Sequence, residues 1–346
     1  MTNKKLQITN NKSQIKRVLF LASGNKTGGN VSSFVRSQFE SLQAAGLDMC
    51  LFPVSGHGWR AYLKAVWHLR RLIRRERPDI IHAHYSTCGF VASFATFCMF
   101  RRPKIMVSIL GSFPTRSRKW RRVRWAIRHL WDGTLTKSER TRNQLGLDLP
   151  VIPNGVNLDI FHPMNSTEAC RQVGFDTNHK YIIWCSHPTR PEKDWALAEA
   201  AVKQPQISND KSQISLVPVY DKTPQQVATY MNAADCLLLT SWSEGSPNVI
   251  KEAMACNCPI VTTDVGDVNE RLKDLEGCYV AKTDHPVTNE ETHTLYAEEN
   301  AHALAECLLQ ALTFGKRTKG YDRILTDGIT LELTAQKIIK WYEQVM

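Results

Sequence analysis

Short apolar runs that read as strands alternate with helical patterns along nearly all of this chain. Arg17 to Ala22 (RVLFLA) reads as a strand, then comes a glycine-rich loop, then a helix over roughly residues 31–45. Cys50 to Val54 is the next strand, a basic helix follows, and Asp79 to His84 and Ile105 to Leu110 look like further buried strands. A second series begins at Tyr181 to Cys185 and continues through Leu216 to Val219, Cys236 to Thr240 and Pro259 to Thr263. Such alternation predicts parallel sheets wrapped by helices, because parallel strands need crossover connections that cover both faces. The chain has 346 residues, enough for two such domains. The turn-rich segment Val151 to Val156 is the natural boundary. We therefore expect an α/β architecture of two doubly wound domains facing a cleft. The expected divisions are 14–157, 158–328 and a final helix over 329–346.

What the chain lacks narrows its class. It has no run of 18 apolar residues; its longest candidate, Gly89 to Phe100, is too short to span a bilayer and reads as a buried helix. Residues 1–16 are polar, with scattered lysines and no apolar signal core. The ten cysteines are dispersed without a C-x-x-C pair, and Cys256-Asn-Cys258 is not a zinc spacing. These features predict a cytoplasmic protein with reduced thiols and no structural metal.

Charge is distributed unevenly. Residues 1–155 carry 27 Lys and Arg against 7 Asp and Glu, a net +20, whereas residues 156–346 carry 17 against 26, a net −9. One half is expected to face something anionic.

Three stretches have the chemistry to hold an anionic ligand. Ser23 to Asn30 (SGNKTGGN) follows the first strand. It is neither a Walker loop nor a G-x-G-x-x-G fingerprint, but Gly28 and Gly29 permit close backbone approach; a simple tight turn explains the pair equally well. Ser186 to Asp194 (SHPTRPEKD) follows the first strand of the second domain, where open α/β sheets bind ligands. Arg190 supplies a planar fork and Lys193 a compact charge, suited to a diphosphate, though either alone reads as a solvated cation. His187 reads equally as a loop residue with no role. The third stretch is Thr240 to Asp267 (TSWSEGSPNVIKEAMACNCPIVTTDVGD). Ser246 is expected to cap a helix with Pro247 in its first position. The first-turn amides of Asn248 and Val249, behind Gly245, would then form an anion site. Glu252 shares the face of Asn248 one turn further in and suits neighbouring hydroxyls, such as those of a ribose. Glu244 stands in the loop before the helix. The sequence contains no D-x-D pair, so cations and a helix N-terminus would neutralise a leaving group in place of a metal.

The segment from Ser243 through Asp267 resembles the E-x7-E signature of retaining glycosyltransferases of family 4. Ile152 to Pro163 (IPNGVNLDIFHP) resembles that family's interdomain segment, and Pro188 to Lys193 its donor-phosphate loop. Pro78 to His84 and Tyr230 to Asp235 also match, so the likeness runs in order over roughly residues 17–346. The resemblance implies the GT-B fold, two Rossmann-like domains with a C-terminal helix crossing back, a role suited to Leu331 to Val345. It also implies a nucleotide-sugar donor, gripped at its diphosphate by Arg190 and Lys193 and at its ribose by Glu252. Glu244 is the implied catalytic residue and, with the amides from Gly245 through Ser246 and Asn248 to Val249, holds sugar and phosphate. Gly28 and Gly29 approach the phosphate. Many relatives carry a histidine where this chain has Leu110, before Gly111. His84, as a possible sugar or acceptor contact, or a backbone carbonyl would have to substitute.

The basic half adds an expectation of its own. Arg60 to Arg77 places Leu63, Val66 and Ile73 on one stripe and Lys64, Arg71, Arg74 and Arg75 on another. Arg116 to Trp131 sets Trp120, Val123, Ile127 and Leu130 against Arg118, Arg121, Arg122 and Arg124. Basic amphipathic helices carrying Trp67, Trp120, Trp125 and Trp131 fit an anionic membrane surface, and no nucleic-acid motif accompanies them. The expectation is a peripheral enzyme on the inner face of the cell membrane. It uses no cofactor, takes a nucleotide-sugar, and transfers to a lipid-linked or glycan acceptor in cell-surface polysaccharide or glycolipid synthesis. The alternatives are a nucleotide-sugar epimerase or phosphorylase on the same scaffold, or a non-catalytic basic binding protein.

Overall fold

The computed structural model describes residues 15–24, 31–56, 58–111, 118–208, 213–283 and 297–346. The side chains at 58, 59, 118, 119 and 297 lie outside that description. Gly28, Gly29 and the side chain of Arg118 therefore fall outside the described residues. Among the described residues, ten strands form two five-stranded sheets. The first contains β1 (Arg17–Ser23), β2 (Asp48–Val54), β3 (Ile80–His84), β4 (Lys104–Ile109) and β5 (Gly133–Thr136), in the order β2-β1-β3-β4-β5. The second contains β6 (Lys180–Trp184), β7 (Ile214–Pro218), β8 (Cys236–Leu239), β9 (Ile260–Thr263) and β10 (Cys278–Ala281), in the order β10-β9-β8-β6-β7. Every pairing whose register is defined is parallel. Counted from its own first strand, each sheet has the same winding: the second strand lies on one side of the first and the remaining three on the other. The order reverses between β1 and β3 in one sheet and between β6 and β8 in the other. Crevices at such reversals, beyond the carboxyl ends of the strands, are where open α/β sheets hold ligands.

Two compact units contain these sheets. One takes residues 1–109, 121–135 and 335–346; the other takes 110–120 and 136–334. In the second unit the strands bury both faces, as a sheet wrapped by crossovers must. Ile183, Leu237, Leu239 and Ile260 enter one cluster, with Met254 and Ile250 from the helix Asn248–Ala255. Their neighbours Ile182, Trp184, Cys236, Leu238 and Val261 enter the other, against the helix Ala297–Phe314. Period-two alternation along a strand produces this split. The helix Pro224–Ala233 begins with a reciprocal capping box between Thr223 and Gln226, with proline in its first turn.

In the first unit the end of the chain supplies part of the core. The last helix runs Leu331–Glu343, and Ile338 and Tyr342 within it are fully buried. The Tyr342 hydroxyl meets His82 Nδ1 at 2.6 Å, and His82 Nε2 meets Ser108 Oγ at 2.7 Å. A buried phenol and imidazole both need partners, and this trio ties β3, β4 and the last helix together.

Three side-chain expectations in the basic half of the chain are corrected. The segment from Gly89 to Phe100 is not a uniformly buried helix. The helix is Ser86–Thr96, Cys98 turns the chain at φ 57°, and Phe94, Phe97 and Phe100 are 67%, 71% and 101% exposed. On the helix Gly58–Glu76 the buried stripe is Ala65, Leu69 and Ile73, while Leu63 is 59% exposed. Leu63 sits about 120° around the helix from Leu69, turned away from the core. Of the tryptophans expected at a membrane, Trp120 and Trp131 are buried in protein and only Trp67 and Trp125 are exposed. Among the described residues no helix is long and apolar enough to cross a membrane.

Candidate active site

The loops that follow β6 and β8 leave the second sheet on either side of its reversal point and are laced together. β6 ends at Trp184, and β8 is followed by Thr240, which is fully buried. The Thr240 hydroxyl accepts from Trp184 Nε1 at 2.9 Å and lies 2.8 Å from the carbonyl oxygens of both Lys193 and Asp194. Trp242 Nε1 donates to the Pro191 carbonyl at 2.9 Å. Pro191–Lys193 forms a single 3₁₀ turn, and Asp194, held at φ 53°, caps the helix Trp195–Val202. Lys193 is thus fixed in a tight turn rather than carried on a mobile loop. Its ammonium forms an ion pair with Glu244, and both side chains are largely buried.

Arg190 reaches the same crevice from a more exposed position. Its guanidinium donates to Glu192 Oε1 at 2.8 and 3.2 Å. Glu252 is half-buried. Burial pushes its carboxyl up to about 7, against the opposing pull of the Lys251 and Lys193 ammonium groups. The structure therefore brings Arg190, Lys193, Glu244 and Glu252 to one end of one sheet.

The helix start differs from the expectation. The helix is Asn248–Ala255, with Pro247 rather than Ser246 at the cap position and no side chain capping it. The Ser246 hydroxyl is engaged elsewhere: it donates to Asp267 Oδ2 at 2.9 Å and accepts from Lys251 Nζ at 3.1 Å. Arg271 Nε also donates to Asp267, at 3.0 Å. The loop is held by this network, and the first-turn amides at Asn248 and Val249 keep their positive end without a side-chain acceptor. The Asn248 side chain accepts from Asn154 Nδ2 at 3.2 Å, and Val249 packs on the core. Gly245 is buried, and Gly266, at φ 57°, brings the chain so close that a Cβ there would lie 2.8 Å from the Gly245 carbonyl oxygen.

Sequence reasoning missed two lysines. Lys137 and Lys251, both in the second unit, are fully buried. Burial, with the charge of Lys251, pushes Lys137 down to about 7, and burial pushes Lys251 down to about 8. Asp267 opposes the shift of Lys251. The Lys137 ammonium meets no hydrogen-bond acceptor among the described residues. Little in the sequence marks Lys137, which stands between the short strand β5 and the helix-capping Ser138.

In the first unit His84 is fully buried at the end of β3, stacked on His82 at 4.5 Å and against Phe20 at 4.7 Å. Arg121 and Arg122 are exposed, and Arg124 is half-buried. Among the described residues no group of three or more His, Cys, Asp or Glu side chains is placed to hold a metal ion.

Comparison with known proteins fits this geometry. Residues 28–160 match the model for Glycosyltransferase Family 4, and residues 192–313 match the model for Glycosyl transferases group 1. The two matches fall in order and do not overlap. The chain belongs to the family 4, group 1 glycosyltransferases. A curated relative of this glycosyltransferase is TuaC of Bacillus subtilis, assigned to teichuronic acid biosynthesis. It is 24% identical over 251 residues, covering 67% of this chain and 60% of the relative. The match thus spans only about three fifths of that relative's length. Among solved structures, sucrose-phosphate synthase from Thermosynechococcus elongatus superposes with a TM-score of 0.69 at 17% identity, covering 95% of this chain and 99% of that one. HepE of Anabaena, solved in complex with UDP-glucose, superposes with a TM-score of 0.65 at 14% identity, covering 95% and 99%. The fold of this family 4 chain is GT-B.

Proposed function

We propose that this chain transfers a sugar from a nucleotide-sugar to a glycan or lipid-linked acceptor, with retention at the anomeric carbon, in the synthesis of a cell-surface polysaccharide or glycolipid. The observation that carries the reading is the Lys193–Glu244 ion pair beside a helix N-terminus that no side chain caps. The donor diphosphate replaces Glu244 as the partner of Lys193, aided by Arg190 and the amides from Gly245 to Val249. Glu244, released, accepts hydrogen bonds from the donor sugar, and Glu252 accepts them from the ribose.

In the reaction, the bond between the anomeric carbon and the phosphate oxygen breaks. The acceptor oxygen bonds to the same face of that carbon, and the acceptor's proton passes to the departing phosphate oxygen. Cations and helix amides stabilise the charge that develops on the leaving diphosphate, so the step needs no metal ion. The acceptor is presented at the inner face of an anionic membrane, to which the basic first unit docks through residues such as Arg121 and Arg122. Support comes from the family membership, from the TuaC relative's assignment to teichuronic acid biosynthesis, and from the charge of residues 1–155.

The test is a panel of nucleotide-sugars screened by thermal shift, followed by NMR of the anomeric proton in the product. One donor should raise the melting temperature selectively, since a ligand that binds only the folded state stabilises it by mass action. Its product should keep the donor's anomeric configuration. Stabilisation by no nucleotide-sugar, or an inverted product, would defeat the reading. Activity should persist in EDTA.

A further inference from the structure

The exposed phenylalanines of the first unit are the least expected feature of the molecule. The helix Ser86–Thr96 buries Cys88, Val91, Ala92 and Ala95 on one side, yet Phe94 on its other side is exposed, as are Phe97 and Phe100 just beyond its end. A single exposed apolar side chain is ordinary, but three phenylalanines at a spacing of three residues form a patch that water does not favour. The patch is held in place. Arg70, on the helix Gly58–Glu76, donates from Nη1 to the carbonyl oxygens of Ala95 at 3.0 Å and Phe97 at 2.7 Å. It thereby caps the end of one helix from the side of the other and fixes the turn that carries Phe97.

Arg70 also joins this turn to a second exposed apolar face. Leu63 and Trp67 lie one helical turn apart on the helix Gly58–Glu76 and are 59% and 55% exposed. The Arg71 guanidinium sits 4.5 Å from the centroid of the Trp67 ring. Arg74 follows Arg70 and Arg71 on the same side, and Arg101 and Arg102 follow Phe100 directly. Acidic residues are almost absent: between residues 49 and 131 only Glu76 and Asp79 carry negative charge. Glu76 is occupied by Arg17 and Arg75, and the Asp79 carboxylate accepts from the amides of Lys16 and Arg17.

We infer that Phe94, Phe97 and Phe100, with Trp67, form an insertion edge that enters the interfacial zone of an anionic lipid bilayer, while Arg71, Arg74 and Arg101 meet the headgroups. Aromatic rings together with arginines are the side chains that combine apolar insertion with attraction to anionic lipid. A solvated basic face would need only the arginines. An edge of this kind sets depth as well as attraction, because phenylalanine must leave water to contribute. The inference rests on the membrane-docking part of the proposed function and adds residues to it that are distinct from Arg121 and Arg122.

Cys98 makes the test direct. It is the exposed cysteine among the ten and lies between Phe97 and Phe100. The full chain, labelled at Cys98 with an environment-sensitive fluorophore, is mixed with vesicles of phosphatidylcholine alone or of equal parts phosphatidylcholine and phosphatidylglycerol. The expected result is a blue shift and quenching by spin-labelled acyl chains with the anionic vesicles only. Sedimentation with the same vesicles should fall at least tenfold for the double variant Phe97→Ser/Phe100→Ser, whose melting temperature should match the wild type because both side chains are already exposed. Vesicle binding that is unchanged in the double variant, with a silent Cys98 label, would overturn the insertion edge and leave docking through Arg121 and Arg122 standing. Absence of binding to either vesicle at low salt would overturn both and point to a protein partner for the aromatic patch.

Discussion

The two units use their charges in opposite ways. In the second unit most cations near the crevice already face an acid of the same unit: Lys193 with Glu244, Arg190 with Glu192, and Arg271 with Asp267 and Asp327. In the first unit Asp48, Glu76 and Asp132 are taken by Arg17, Arg75, Arg102 and Lys104, and arginines such as Arg71, Arg74, Arg121 and Arg122 remain exposed on its surface. Internal pairs of this kind can be exchanged: a ligand with more charge than a carboxylate displaces it and inherits a fixed cation. A surface excess cannot be exchanged internally and acts on whatever lies outside. On the proposed function, the same residue types serve a bound anion in one unit and an anionic surface at the other.

The largest expected effect breaks the comparison on the second unit's side. Lys193→Ala should lower kcat/KM by roughly ten- to a hundredfold, about 1.5–3 kcal/mol for one charge-assisted contact. Arg190→Ala should cost only about 1 kcal/mol, because its guanidinium is exposed and its present pairing with Glu192 is screened by water. Steady-state kinetics with the selected donor measures both. Equal losses would mean that burial of the Lys193 pair does not set its importance.

A second prediction concerns stability. The Lys137 ammonium, pushed down to about 7 from 10.5 by burial and by Lys251, holds its proton less tightly in the folded chain than in the unfolded one. Folding stability is therefore lost as pH falls from about 10.5 through 7, and the penalty is complete below about 7. Lys137→Met should accordingly raise the ligand-free stability by on the order of 1–3 kcal/mol at pH 6. The advantage should shrink toward pH 10, as followed by urea denaturation at both pH values. A variant less stable than wild type at pH 6 would show that the ammonium has a compensating partner.

Smaller effects sharpen the picture. With its carboxyl raised to about 7 by burial, Glu252 is the better hydroxyl acceptor above that pH. Affinity for the nucleoside diphosphate should rise several-fold between about pH 6 and pH 8, and Glu252→Gln should flatten that rise. At the first unit, Arg121→Ala should weaken binding to anionic vesicles by about 1 kcal/mol at low salt and by less as salt screens the surface.

Much of this organisation was legible before any coordinates. Short continuous apolar runs separated by helical patterns point to parallel sheets, because strands covered on both faces by crossover helices bury every side chain. The reversal points then place the loops with Arg190, Lys193 and Glu244, since the chain order of the strands fixes which loops flank them. Side-chain partners were not legible. The pairing of Lys193 with Glu244 joins residues 51 apart, and Ser246 reads as a helix cap until Asp267 and Lys251 are seen to hold its hydroxyl. Periodicity also does not say whether an apolar position is covered. Trp120 and Phe100 look alike in sequence, yet one is core and the other fully exposed. Lys137 was missed because charge predicts exposure almost everywhere else.

The exchange at Lys193 is the center of this account, and calorimetry of a free nucleoside diphosphate with wild type, Lys193→Ala and Glu244→Gln tests it most directly. Lys193→Ala should lose at least tenfold in affinity. Glu244→Gln, which releases the Lys193 ammonium from its carboxylate, should bind the diphosphate as tightly as wild type or more tightly while transferring sugar more slowly. An equal loss of nucleotide affinity in both variants would contradict the exchange and with it the division of roles between the two side chains.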